Sequence, residues 1–173
     1  KAAEHFINEQ LQLIANIQTQ LKNAKDPLKA IEKLQEEKSS LEKHVENLEA
    51  RQLVGIRNEL LTKDEIINQV SFIGQMVSVG SGDALKKLCH DLKNHLNDHV
   101  IVLCANIDGK PFVAVGVDEK VNAAKGLDAG KIIKEQVAPL IKGGGGGQKT
   151  LATAGGQDVG GLQAVIDKVR ELL

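Results

Sequence analysis

The chain has no tryptophan and no tyrosine, and its 173 residues hold three phenylalanines, Phe6, Phe72 and Phe112. Surfaces that grip single-stranded nucleic acid usually stack bases on exposed rings, so this composition argues against such a platform. Two cysteines, Cys89 and Cys104, are too few for a disulfide framework and read as reduced thiols of a cytoplasmic protein. No stretch approaches the roughly 20 apolar residues of a membrane span, and there is no signal-peptide pattern. A net charge of −1 lacks the basic excess of a broad nonspecific nucleic-acid binder. What remains is ordinary globular composition, 42% hydrophobic and 26% charged, with a core to be built from Leu, Ile and Val. The length suits one domain, or a small domain with an appendage. The chain opens on Lys1 rather than methionine, as expected of a piece cut from something longer.

Glycine, by contrast, is concentrated. The segment from Ile132 to Gly156 reads IIKEQVAPLIKGGGGGQKTLATAGG, with five consecutive glycines, Gly143, Gly144, Gly145, Gly146 and Gly147. Ordering glycine costs more backbone entropy than ordering any other residue. Five in a row therefore predict either a mobile connector that starts as a helix C-cap, or bare backbone approached closely by a ligand. Charge favours the second. From Lys120 to Lys149 there are six lysines against two acids, Asp128 and Glu135, an excess hidden in the near-neutral total. Free amides within a lysine patch suit a phosphate backbone. A Walker A loop is set aside, because Gln148 separates Gly147 from Lys149 and the run follows a helix and precedes a strand.

Taken in order, residues 1–60 read as helices. Ile7, Leu11, Ile14, Ile17 and Leu21 form one stripe, and Lys25-Asp26-Pro27 interrupts it. Asp26 is an N-cap and Pro27 a first helical residue, which predicts a second helix and an antiparallel hairpin. Ile31, Leu34, Leu41, Val45 and Leu48 keep a heptad register there, broken by Lys38 and Gln52. Two helices cannot bury both seams, so the globular part or a second copy is expected to cover the rest.

From about Asn58 the heptads give way. Ile66–Val79 reads as a strand region, Gly80–Asp83 as turn and cap, and a helix follows with Leu85, Leu88, Cys89, Leu92 and Leu96 inward. Val100–Ile107 and Pro111–Val117 read as strands joined at Asp108-Gly109. A polar connection, Asp118 to Gly126, leads to a helix from about Asp128 to Ile141. A short strand over Lys149–Ala154 and a final helix close the chain. The order β-α-β-β-α-β-α predicts an α/β (α+β) fold, a small mixed sheet with helices packed on it.

Catalytic signals are weak. Cys89, His95, His99 and Cys104 lack C-x-x-C spacing, and both cysteines fit apolar positions, so a zinc site is not expected. His90 and His95 read as polar-face residues. No nucleophile-base signature occurs and the acids are scattered, none paired on a motif, so this chain is not expected to catalyse a reaction.

The last hundred or so residues resemble the DHH-associated domain, and more closely its form at the end of alanyl-tRNA synthetase, often called C-Ala. The resemblance is carried by KIIKEQVAPLIKGGGGGQKTLATAGGQDVGGLQAVIDKVRELL, with its glycine run, A-x-A-G-G turn and closing amphipathic helix, and by the hairpin VIVLCANIDGKPFVAVGV. The helical half is similar to the coiled arm preceding that domain. The family motif is G-G-x-G-G-G, whereas Gly143–Gly147 here are all glycine. The resemblance implies an ATP-dependent alanine–tRNA ligase as parent, with aminoacylation and editing domains upstream and ATP, Mg and Zn as the parent's cofactors; none is expected in this stretch. It implies that the domain holds the outer corner (elbow) of tRNA, tRNA-Ala as the expected partner, so that both activities share one tRNA, and that the arm contributes to a homodimer. Two alternatives are a DHH-type phosphoesterase's substrate-binding part and a plain oligomerisation module. The former needs an upstream Asp-His-His motif, and here Asp98-His99 is followed by Val100.

The expectation is thus a helical arm, 1–60, then a tRNA-binding globular domain, 61–173. Its RNA contacts are expected at Lys131, Lys134, Lys142, Gly143–Gly147, Gln148 and Lys149, and its dimer contacts at Ile31, Leu34, Leu41, Val45 and Leu48.

Overall fold

A computed structural model describes residues 2–173, which form two compact units, one ending at Ala50 and the other running from Arg51 to Leu173. In the first, α1 (Ala2–Gln20) stops where Lys22 and Asn23 turn left-handed, at φ 56° and 60°. Then α2 (Pro27–Leu61) begins as its caps dictate, the Lys29 amide donating to Asp26 Oδ1 at 3.2 Å. The apolar residues of both helices remain uncovered within this unit. Ile31, Leu34, Leu41, Val45 and Leu48 are between 39% and 65% exposed, and Phe6, Ile7, Leu11 and Ile14 are similarly open.

In the second unit the last turns of α2 pack down through Leu60, with Leu53 and Ile56 beside it, and Arg57 Nη1 lies 3.0 Å from Asp91 Oδ2. Six strands follow: β1 (Glu65–Ile67), β2 (Val70–Met76), β3 (His99–Ile107), β4 (Lys110–Val117), β5 (Gly144–Gly147) and β6 (Leu151–Gly155). They form one sheet in the order β1-β2-β3-β4-β6-β5. Only β2 and β3 run parallel, because the helix α3 (Gly82–Lys93) carries the chain across between them. The mixed sheet with helices packed on it is the expected architecture.

Alternation along the strands sends side chains to two cores. Phe72, Val100, Val102, Cys104, Val113 and Val115 lie under α4 (Glu119–Lys125), α5 (Ala129–Ile132) and α6 (Leu162–Arg170). Ile73, Ile101, Leu103 and Ala114 face Leu85, Leu88, Cys89 and Leu92 of α3. Each such side chain removed from water contributes roughly 1.5–3 kcal/mol. Burial pushes both thiols, Cys89 and Cys104, up to about 12.

Local chemistry explains most boundaries. Ser81 caps α3, its Oγ accepting from the Ala84 amide at 3.1 Å. Asp108 and Gly109 take φ 50° and 77°, the left-handed pair of a two-residue hairpin. Four expectations need correction. The strand region Ile66–Val79 is a hairpin, β1 against β2, turning at Asn68 and Gln69 with φ 47° and 67°. The polar connection after Asp118 contains α4, capped by Asp118 and closed by left-handed Gly126. The helix expected to run to Ile141 is α-helical only over α5. It widens to a π-helix at Ile133–Val137, where the Ala138 amide donates to the Ile133 carbonyl at 2.9 Å, just before Pro139. Finally, the glycine run is no loop: Gly144–Gly147 are β5, at the edge of the sheet.

Candidate nucleic-acid interface

β5 pairs antiparallel with β6, Gly144 opposite Gly155 and Gly147 opposite Ala152. A strand without side chains is a poor strand by propensity, so its reason must lie in what approaches it. A Cβ on Gly143, Gly145 or Gly147 would lie 2.1, 2.2 or 2.5 Å from the carbonyl oxygens of Gly155, Thr153 and Leu151. The even positions differ. Around a Cβ on Gly144 there is nothing within 4 Å, and on Gly146 the nearest atom is Lys134 Cε at 3.9 Å. Glycine is thus required by the neighbouring backbone at alternate residues only.

The pairing also fixes where the amides point. The Gln148 amide donates to the Leu151 carbonyl at 2.9 Å and the Gly143 amide to the Ala138 carbonyl at 3.0 Å. Antiparallel alternation from the Gln148–Leu151 bond turns Gly146 and Gly144 toward β6, and turns the N–H and C=O of Gly145 and Gly147 outward. Of the five amides expected to meet phosphate, these two face the open edge.

The expected lysines fall on several elements. Lys131 and Lys134 are exposed on α5 and the π-helix, which pack against β5 and β6. Lys149 is exposed in the β5–β6 turn, whose position is fixed by its own carbonyl accepting from the Ala129 amide at 2.8 Å. Asp128, through Oδ1 accepting from the Lys131 amide at 3.1 Å, caps the start of that helix. Lys142 is engaged elsewhere: it sits left-handed at φ 48°, its Nζ 2.9 Å from Asp158 Oδ2. This hydrogen bond holds the ammonium above, and the carboxyl below, its ordinary range. The structure therefore brings Lys131, Lys134, Lys149 and Gln148 to the glycine edge and gives Lys142 a second role.

Across the sheet, α3 leaves the β6–β5 end uncovered. A cleft of about 580 Å³ opens there, lined by Ser81, Gly82, Asp83, Lys86, Phe112, Gly144–Gly146, Thr153 and Gly155. Beside it a shallower groove of about 410 Å³ is lined by Asp83, Lys86, Lys87, His90 and Leu151. His90 reads from the sequence only as a polar-face residue, and Lys86 and Lys87 are not singled out there; a Lys-Lys pair on the polar face of a helix looks like any solvated surface. Nothing local says that the glycine strand, some sixty residues later, lies opposite.

His99, considered above for zinc, is buried at the start of β3, with Nδ1 donating to the Leu96 carbonyl at 3.2 Å and Asp118 Oδ2 3.7 Å away. Among the described residues its Nε2 has no hydrogen-bond partner. Burial holds its pKa below the ordinary histidine value. Cys89 and Cys104 lie on opposite faces of the sheet, and among the described residues no group of three or more His, Cys, Asp or Glu is placed to hold a metal ion. No described helix is long and apolar enough to cross a membrane.

Residues 69–173 match the DHHA1 domain family. The chain is 37% identical, over 99% of its length, to the alanine–tRNA ligase of Cytophaga hutchinsonii, and 33% identical, over 97%, to that of Corynebacterium jeikeium. It spans about one fifth of those relatives, 20% and 19% of their lengths. Among solved structures, the C-Ala domain of Aquifex aeolicus alanyl-tRNA synthetase shares the fold, with a TM-score of 0.58 at 22% identity, covering 64% of this chain and 96% of that one. The chain belongs to the DHHA1 domain family, and over nearly its whole length it is similar to one stretch of alanine–tRNA ligases.

Proposed function

We propose that the unit Arg51–Leu173 binds structured RNA, and that within an alanine–tRNA ligase it holds the tRNA elbow so that aminoacylation and editing can share one tRNA. The observation that carries this reading is the conjunction of a side-chain-free sheet edge with exposed Lys131, Lys134 and Lys149 around it. Backbone amides and lysines contact phosphate without reading bases, which suits recognition of a folded RNA by shape. The paucity of aromatics agrees, since it leaves little for base stacking. The aminoacylation and editing chemistry, with its ATP and metal ions, belongs in this reading to the rest of the parent chain.

Fluorescence anisotropy of the 173-residue chain against full tRNA and against a hairpin without an elbow, at two salt concentrations, tests the reading. Tighter binding of the folded tRNA supports it. Equal, salt-sensitive binding reduces the unit to a general backbone binder, and binding of neither removes the RNA role. A second reading concerns the arm. The exposed stripe Ile31, Leu34, Leu41, Val45 and Leu48 favours dimerisation through α2. Sedimentation that finds a monomer at high concentration would overturn it.

A further inference from the structure

The cleft between α3 and the glycine edge, and the groove beside it between α3 and Leu151, share a wall that neither the sequence motif nor the lysines near it include. That wall is the exposed face of α3. We infer that Lys86, Lys87 and His90 form a second contact surface for the RNA phosphate backbone, so that a strand lies between α3 and β5 rather than against β5 alone. This rests on the RNA reading above and says which further surface takes part.

Three observations carry it. First, the β6–β5 end of the sheet is the part of the α3 face that α3 does not cover, and the cleft left there, about 580 Å³, and the groove beside it, about 410 Å³, share Asp83 and Lys86 in their linings. Secondly, the opposite wall is backbone: Gly144, Gly145 and Gly146 line it with no side chain to fill it, although a Cβ at Gly144 or Gly146 would meet no backbone. The fold does not ask for glycine at those two positions, and bareness there keeps the cleft open. Thirdly, the charge suits a polyanion. Lys86, Lys87 and His90 are exposed against one acid, Asp83, while Lys134 reaches the same strand from the other face of the sheet. An acidic peptide is the competing occupant, because a sheet edge also offers carbonyls to a strand. The wall of paired lysines lies beside the edge rather than along it, and this favours a phosphate chain.

The test measures tRNA binding as a function of salt for the 173-residue chain, for Lys86→Gln/Lys87→Gln, and for Lys131→Gln/Lys134→Gln/Lys149→Gln. Each lysine that neutralises a phosphate contributes about 0.9 to the slope of log K on log salt. The first variant is expected to bind roughly tenfold more weakly at low salt and to lose up to about two from that slope, with circular dichroism unchanged. If it binds as the parent does while the second variant is weakened, the α3 wall is overturned and the RNA reading stands. If neither variant differs from a parent that binds tRNA, both the wall and the glycine-edge site fail. Displacement of tRNA by a poly-glutamate peptide at equal charge concentration, with no loss in the first variant, would assign the groove to a peptide and overturn the inference as well.

Discussion

The Lys142 ammonium lies 2.9 Å from the Asp158 carboxylate and closes the chain around the glycine strand. Lys142 enters β5 in a left-handed conformation that a side chain adopts at a cost. Asp158 in turn accepts from the Gly160 amide at 3.0 Å through its other oxygen. The pair therefore joins the segment before β5 to the turn that begins the last helix. A lysine so occupied is a weaker candidate for phosphate than Lys149. Lys142→Gly, which also relieves the left-handed strain, is expected to leave tRNA affinity within about twofold. Lys149→Gln should lower it more and reduce the salt slope by about one. Anisotropy titrations of both variants at two salt concentrations decide this.

The glycines of β5 should separate into two classes under substitution. Ala at Gly145 places its Cβ 2.2 Å from the Thr153 carbonyl oxygen and 2.5 Å from Ala154 Cα, and β5 must leave β6 to admit it. Overpacking of this kind costs roughly 1–3 kcal/mol. Ala at Gly144 meets nothing, and by narrowing the unfolded ensemble it should stabilise by roughly 0.4–1 kcal/mol. Urea unfolding of the two variants must give opposite signs relative to the parent; equal destabilisation would mean that β5 is not paired as described.

These two classes also say how far the site was legible beforehand. Caps and turns that depend on one or two residues could be read directly: Asp26-Pro27 before α2, Ser81 before α3, Asp108-Gly109 between β3 and β4. The glycine run could not, because strand patterns are patterns of side chains and this strand has none. Its signal sits in the carbonyls of β6, visible only once the strands are paired. The Asn68–Gln69 turn was hidden because it lacks glycine, and α4 because one buried residue, Val121, carries its core face. Lys86 shares a cleft with β5, and Lys87 a groove with Leu151 of β6, through tertiary packing alone.

His99 makes stability depend on pH in a predictable direction. Its ring is 2% exposed, donates through Nδ1 to Leu96 and leaves Nε2 without a partner among the described residues, so a second proton there would be buried with little to compensate it. Burial lowers its pKa in the folded chain, against the partial opposition of Asp118. The unfolded chain, with an ordinary histidine pKa of about 6.5, therefore binds a proton that the folded chain refuses. Stability should fall as pH drops below about 6.5, by at most ~1.4 kcal/mol per pH unit from this group, and level off once the folded pKa is passed. The difference between parent and His99→Gln in urea midpoints from pH 7.5 to 5 isolates the effect from the other histidines; a difference that does not change with pH would exclude it.

The arm offers the last expectation. In α2 the residues Ile31, Leu34, Leu41, Val45 and Leu48 follow one another along a heptad seam, and the unit that contains them leaves all five open to solvent. Glu37, Glu42 and Glu46 flank the middle of this seam, Lys38 lies on it, and together with Leu34, Leu41 and Val45 they line a shallow groove of about 700 Å³. Charged flanks beside an apolar centre are how a helix keeps soluble while it selects a partner in register. A second α2 is the partner that the repeat fits, since Lys38 on the seam limits the registers in which two copies can meet. Burial of a leucine or valine at such a contact contributes roughly 1.5–3 kcal/mol. Leu41→Lys with Val45→Lys should therefore convert a dimer to a monomer at every concentration reached by sedimentation equilibrium. These positions are solvent-exposed in the first unit and lie outside both cores of the second, so the thermal unfolding of Arg51–Leu173 should not change. If parent and variant sediment alike as monomers, the stripe has another occupant and self-association through α2 is ruled out.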